Sequence, residues 1–161
     1  MKKFFIILMA LAVTACSKEM SLGVPEDYVV DWQPVTLSIL ASDTAGNDII
    51  SPSLSGVSIT YQGKTYVLQK SRAYNASIQG LFVQKFQMTD ILGHLHEYRI
   101  LFGEIDGALD MDEDLILTWD DGTKYTIHYH CSEHILGPAP RCTRKWTLNG
   151  VETELPILII K

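Results

Sequence analysis

The sequence predicts an all-β protein, an antiparallel β-sandwich or barrel of seven to nine strands. Three observations carry this. Apolar residues recur at alternate positions in run after run beyond residue 30, Gly, Asn and Asp stand at short intervals between the runs, and no segment keeps a helical period over three turns.

VTLSILA (35–41) places Val35, Leu37, Ile39 and Ala41 on one side, the pattern of a half-buried strand. VSITYQGKTYVLQ (57–69) holds two β-rich runs around Gln62-Gly63 and reads as a hairpin with a positive-φ turn. SRAYNASIQG (71–80) has the composition of a brief helix. LFVQKFQM (81–88) and EYRILFGEI (97–105) are strands separated by TDILGHLH. DLILTWDDGTKYTIHYHC (114–131) is the clearest hairpin, with Asp120-Asp121-Gly122 between runs rich in β-branched and aromatic residues. RKWTL, the turn Asn149-Gly150, VETEL, Pro156 and ILII complete the chain. This gives one domain over residues 30–161, long enough to bury a proper core.

Residues 1–15 are of another kind. Lys2 and Lys3 precede an apolar run from Phe4 to Val13 and small residues before Cys16, the three parts of a secretory signal peptide. A spanning helix needs roughly 20 apolar residues, so this run directs export and does not span. Val13-Thr14-Ala15-Cys16 resembles the lipobox of bacterial lipoproteins. The resemblance implies a diacylglycerol thioether on Cys16, cleavage before it and acylation of the new amine. Each buried methylene contributes about 0.8 kcal/mol and several chains together hold stably, so the membrane is the first expected partner. Residues 16–29, broken by Gly23 and Pro25, form the lipidated cysteine and a flexible tether. Ser17-Lys18-Glu19 resembles the short signals that carry lipoproteins of the Bacteroidetes to the outer cell surface. This implies an outer-membrane protein, on the cell surface or the periplasmic face.

Two further stretches, residues 43–52 (DTAGNDIISP) and 145–150 (KWTLNG), resemble segments of small uncharacterised lipoproteins of the Bacteroidetes with a β-sandwich domain. That likeness implies an immunoglobulin-like or transthyretin-like sandwich and brings no catalytic residue. Asp43-Thr44-Ala45 also resembles the O-glycosylation acceptor of that phylum, which makes Thr44 a candidate modification site. Asn75-Ala76-Ser77 fits the N-glycosylation pattern, a modification not expected in such a bacterium.

Export places the chain where disulfides persist. With Cys16 carrying lipid, Cys131 and Cys142 remain as an even pair, enclosing SEHILGPAPR between two strand-like runs. Closing such a loop contributes about 3 kcal/mol by chain entropy.

HYHCSEH (128–134) invites a metal reading. If Cys131 is oxidised, the donors left are His128, His130 and His134 beside Glu133. His128 and His130 share a face on an extended strand, and His94 and His96 repeat that spacing. Zinc wants three or four ligands in a tetrahedron, which requires the two pairs to meet, and a metal-dependent or carboxylate-based hydrolase rests on that convergence. The simpler expectation is that these histidines line a polar sheet face or hydrogen-bond in a loop, with no metal and no cofactor.

Other chemistries find less support. In the acidic run DGALDMDEDL (106–115), counting from Asp110 puts Leu115 and Asp121 where an EF-hand needs Gly and Glu, so a solvated acidic loop is expected. There is no G-x-S-x-G elbow and no phosphate-binding glycine loop before a helix. A formal charge of −6, more negative once Lys2 and Lys3 are removed, argues against nucleic acid. The local basic cluster of Arg141, Arg144 and Lys145 balances neighbouring acids. The expected function is a non-catalytic envelope lipoprotein that binds a protein partner or a glycan, or serves an envelope complex. Tyr61, Tyr66, Trp119, Tyr125, Tyr129 and Trp146 could form a recognition face, though strand aromatics more often pack a core.

Overall fold

The computed structural model describes residues 35–69, 80–105, 110–134 and 141–161. The signal peptide, Cys16 and its tether, the brief helix read at 71–80 apart from Gly80, the N-x-S pattern at Asn75, and residues 106–109 and 135–140 lie outside them.

The described residues are all-β. Ten strands follow in order: β1 (Val35–Ser42), β2 (Ser58–Tyr61), β3 (Lys64–Gln69), β4 (Gly80–Thr89), β5 (Leu95–Ile105), β6 (Met111–Thr118), β7 (Lys124–His134), β8 (Arg141–Leu148), β9 (Val151–Thr153) and β10 (Ile157–Ile160). They form one sheet in the order β10-β1-β5-β4-β3-β2-β6-β7-β8-β9. The count exceeds seven to nine because the two short closing runs each hold as a strand. Pro156, which has no N–H to give a ladder, lies in the link that separates them.

Connectivity rolls this sheet up. β9 and β10 are its two edges, yet only three residues link them. Ten flat strands would hold their edges about 43 Å apart at about 4.8 Å per interval, and the link reaches about 14 Å at most. The sheet therefore curls until its edges approach, nearly closing into a barrel. Lys161, just past β10, ties the same region from the other side. Its Nζ lies 2.8 Å from Asp121 Oδ2, 3.3 Å from Asp120 Oδ1 and 5.3 Å from the centre of the Trp119 ring.

The sheet is mixed where an antiparallel one was expected. β1 runs parallel to β10 and β3 parallel to β4, while the other neighbours are antiparallel. Parallel neighbours cannot be joined by a hairpin, and here residues 70–79 separate β3 from β4 while most of the chain separates β1 from β10.

Rolling brings the inward faces together in one core. Leu37, Ile39, Ile59, Leu81, Ile100, Phe102, Leu115, Leu117, Ile127 and Ile157 are fully enclosed. Phe102 on β5 meets Tyr61 of β2 and Tyr66 of β3 edge to face, with centroids 5.9 and 5.1 Å apart. Tyr61, Trp119, Tyr129 and Trp146 belong to this core, and Tyr66 and Tyr125 pack against it. The aromatics are thus packing residues, not an exposed recognition face.

The turns follow their sequence signals. Gln62-Gly63 and Asn149-Gly150 hold both central residues at positive φ, the twist that suits a two-residue hairpin. Asp43–Asn47, Asp90–His94 and Trp119–Thr123 share another pattern. In each, the first N–H donates to the fifth carbonyl, the fourth N–H donates to the first carbonyl, and glycine stands fourth.

Replacing Phe102 with Ala should cost about 3–5 kcal/mol, since it empties the junction between β5 and the β2–β3 hairpin. Equilibrium urea denaturation measures it, and a loss under 1 kcal/mol would show that the two faces are not packed through this ring.

Candidate functional site

Strand directions sort the turns onto two rims. β1 ends at Ser42, whose carbonyl accepts the N–H of Lys161, and Lys161 reaches the Trp119–Thr123 turn. Asn149 N–H donates to Thr126 O near the start of β7. The turns at 43–47, 90–94, 119–123 and 149–150 therefore share one rim. Val35, where the chain enters the sheet, lies at the other end of β1.

Beneath that rim lies a buried polar cluster. Asp90, its side chain 3% exposed, accepts the Leu92 and His94 N–H groups on Oδ1 at 2.8 and 2.9 Å. Its Oδ2 stands 3.1 Å from His96 Nε2 and 3.3 Å from His94 Nδ1. His96 is completely enclosed. On its other side, Asp48 Oδ1 lies 3.7 Å from His96 Nδ1. Asp48 accepts Ile50 N–H at 3.0 Å, Glu97 N–H at 2.8 Å and Tyr98 N–H at 3.3 Å. Asp43 repeats the Asp90 arrangement in the next turn, taking the Ala45 and Asn47 N–H groups on Oδ1, both at 2.9 Å. The two turns touch: a Cβ on Gly46 would overlap the His94 ring, and Gly46 has a φ of +86° that side chains avoid.

Burial pushes the Asp90 carboxyl up, but the His94 N–H, the His96 ring, the Leu92 N–H and the charge of His94 outweigh it and hold it down at about 2. An ionised carboxylate only accepts, so His96 Nε2 carries the proton they share. Asp43 is lowered chiefly by the Asn47 side-chain amide and backbone N–H. These carboxylates are occupied by backbone donors, an arrangement that fixes loops. His94 and His96 stand out in the sequence. Their partners Asp48 and Asp90 are not evident there, although the recurrence of Asp-x-x-Gly-x at 43 and 90 was an available signal.

His128 and His130 have different company. On the exposed face of the β6–β7 hairpin, the register sets Asp114 opposite His128 and Asp112 opposite His130. His128 Nδ1 lies 2.9 Å from Asp114 Oδ1, and its Nε2 lies 3.1 Å from Asp112 Oδ1, an atom also 3.1 Å from His130 Nδ1. Part of the expected acidic loop is thus the strand β6, because Met111, Leu115 and Leu117 turn inward and leave Asp112 and Asp114 outside. His134 ends β7 opposite Arg141, and its side chain, like that of Glu133, lies outside the described residues. Each histidine pair has its own carboxylates, on different hairpins. Among the described residues no group of three or more His, Cys, Asp or Glu is arranged to hold a metal ion.

Cys131 and Cys142 are brought together. They lie diagonally across the β7–β8 ladder, with Cys131 opposite Arg144 and Cys142 opposite Glu133, and their sulfurs stand 2.7 Å apart as thiols. Burial first, then Cys131, raises the Cys142 thiol. Burial likewise pushes up the Tyr129 hydroxyl, whose neighbour is Cys131. Thr44 is exposed at the tip of its turn.

Asp90→Asn should cost about 2–4 kcal/mol at neutral pH, because enclosed His96 and two turn N–H groups lose a charged acceptor. The sign of the pH effect follows from the lowered carboxyl: Asp90 stabilises fully above its ordinary value of 3.8, and the contribution is lost as pH falls toward about 2. Denaturation midpoints over that window should fall less in the variant than in the parent, and parallel profiles would remove Asp90 from this role. No family model matches the chain, and no curated protein or solved structure matches it.

Proposed function

We propose that this chain is an envelope lipoprotein of the outer membrane, held by acyl chains on Cys16, whose β-domain is a non-catalytic module that binds a protein or glycan partner. The observation that carries the reading is the direction of the chain. The described chain enters the sheet at Val35, and the turns at 43–47, 90–94, 119–123 and 149–150 gather at the other rim. Such a layout offers loops to a partner on the side away from the chain's entry. Asp48, Asp90 and the enclosed His96 support it, since their hydrogen bonds brace those turns.

The finer architecture in this proposal is a sandwich, immunoglobulin-like or transthyretin-like. Its support is β3, which pairs with β2 along its first part and with β4 along its last two residues. One layer is then β10-β1-β5-β4 and the other β2-β6-β7-β8-β9, hinged at β3. Thr44, exposed in the sequence Asp-Thr-Ala, is the residue proposed to carry an O-linked glycan.

The two facing thiols form a disulfide in an oxidising envelope. Cys131 and Cys142 give up two protons and two electrons to a disulfide-bearing oxidant, which leaves as two thiols. The bond would join neighbouring strands at the base of the 135–140 segment.

Membrane fractionation tests the anchor. Wild-type protein should enter the detergent phase, and Cys16→Ala should move it to the aqueous phase. A native protein with an unmodified Cys16 sulfhydryl would overturn the proposal. Protein taken directly from cells should resist thiol alkylation at Cys131 and Cys142 until reduced. Reduction should lower its unfolding free energy by about 3 kcal/mol, and free thiols in envelope-derived material would discard the disulfide.

A further inference from the structure

The Asp90–His94 turn carries an unusual tip. Hairpin tips are normally built from Gly, Pro, Asn, Asp and Ser, yet here the two outermost positions are Ile91 and Leu92, 94% and 53% exposed, with Leu95 beside them at 51%. These side chains contribute little to folding, because they stay in water in the folded state. What lies under them is rigid: Asp90 binds the Leu92 and His94 N–H groups, and enclosed His96 holds Asp90 from below. An apolar tip fixed in advance loses little conformational entropy on docking.

We propose that Ile91, Leu92 and Leu95 are the anchor by which this module engages its partner, and that the partner is a protein with an apolar socket rimmed by Lys and Arg. The inference rests on the binding-module reading above and names the surface it uses. Charge selects the occupant. Asp43 lies in the adjoining turn, in contact through Gly46 and His94, exposed Glu97 follows Leu95 in β5, and the chain as a whole carries a formal −6. A second copy would bring like charges together, and an anionic lipid surface would repel a tip whose turn holds no Lys or Arg. A basic rim around an apolar pocket satisfies both parts of the surface, with aliphatic side chains at the centre and charges around them.

The test places p-benzoylphenylalanine at Leu92 of the full chain in intact cells, and in separate variants at exposed Ala45, Thr123 and Val151 at or beside the other turns of the rim, with the same probe at exposed Lys64 on the opposite rim as the reference. The expected result is one discrete protein adduct from position 92 that is absent from position 64. The captured protein, once purified, should bind the chain with an affinity that falls as salt rises. Binding should weaken at least tenfold with Ile91→Asp and again with Glu97→Lys, while both variants keep the parent's denaturation midpoint. An adduct of twice the chain's own mass, a lipid adduct, equal labelling from both positions, or binding indifferent to salt and to Ile91→Asp would each overturn the proposal. Adducts from other turns of the rim but none from position 92 would discard the tip and leave the binding module standing. No adduct from any turn of the rim would discard both.

Discussion

The three-residue link between β9 and β10 is the constraint on which the structure depends. It joins the two edges of a ten-strand sheet, so the sheet has to curl. Curling turns residues of distant strands toward a common interior, and only then can Phe102 of β5 meet Tyr61 of β2. The hydrophobic effect supplies the free energy for that enclosure without fixing its geometry. The short connection fixes it, helped by the Lys161 ion pairs that hold the end of the chain to the Trp119–Thr123 turn.

A second consequence is the burial of charge under the turn-bearing rim. Taking Asp90 out of water is costly unless its oxygens find partners, whereas His96 Nδ1 has no hydrogen-bond partner and lies 3.7 Å from Asp48 Oδ1. Asp90 meets that demand with two backbone N–H groups and an imidazole, and Asp48 with three backbone N–H groups. Carboxylates so fully engaged make poor general bases, because proton transfer would break the bonds that enclose them. They make good braces. The exposed ladder of Asp112, Asp114, His128 and His130 uses the same pair of residue types in water, where such pairs contribute little to stability. Burial, rather than residue type, separates the two clusters.

Alternation made the strands legible because each depends on a local period that survives in any all-β arrangement. Turn chemistry was legible for the same reason, and Gln62-Gly63 and Asn149-Gly150 stand where their positive φ values require. The acidic run was misread at its end because Met111 and Leu115 were counted with their charged neighbours instead of as an inward face. The aromatics looked like a possible recognition surface for a related reason: composition reports that Tyr129 and Trp146 exist but not which way a rolled sheet turns them.

The sequence by itself determined most strand positions and the two-residue turns, because both follow from local period and local turn chemistry. Only the tertiary structure decided which strands became neighbours beyond the hairpins. It paired β1 with β10 and β3 with β4, gave His96 to Asp90 and Asp48, and left the two histidine pairs on separate hairpins. Contacts between residues far apart in the chain follow from how the whole sheet closes, and that closure is a property of all ten strands together.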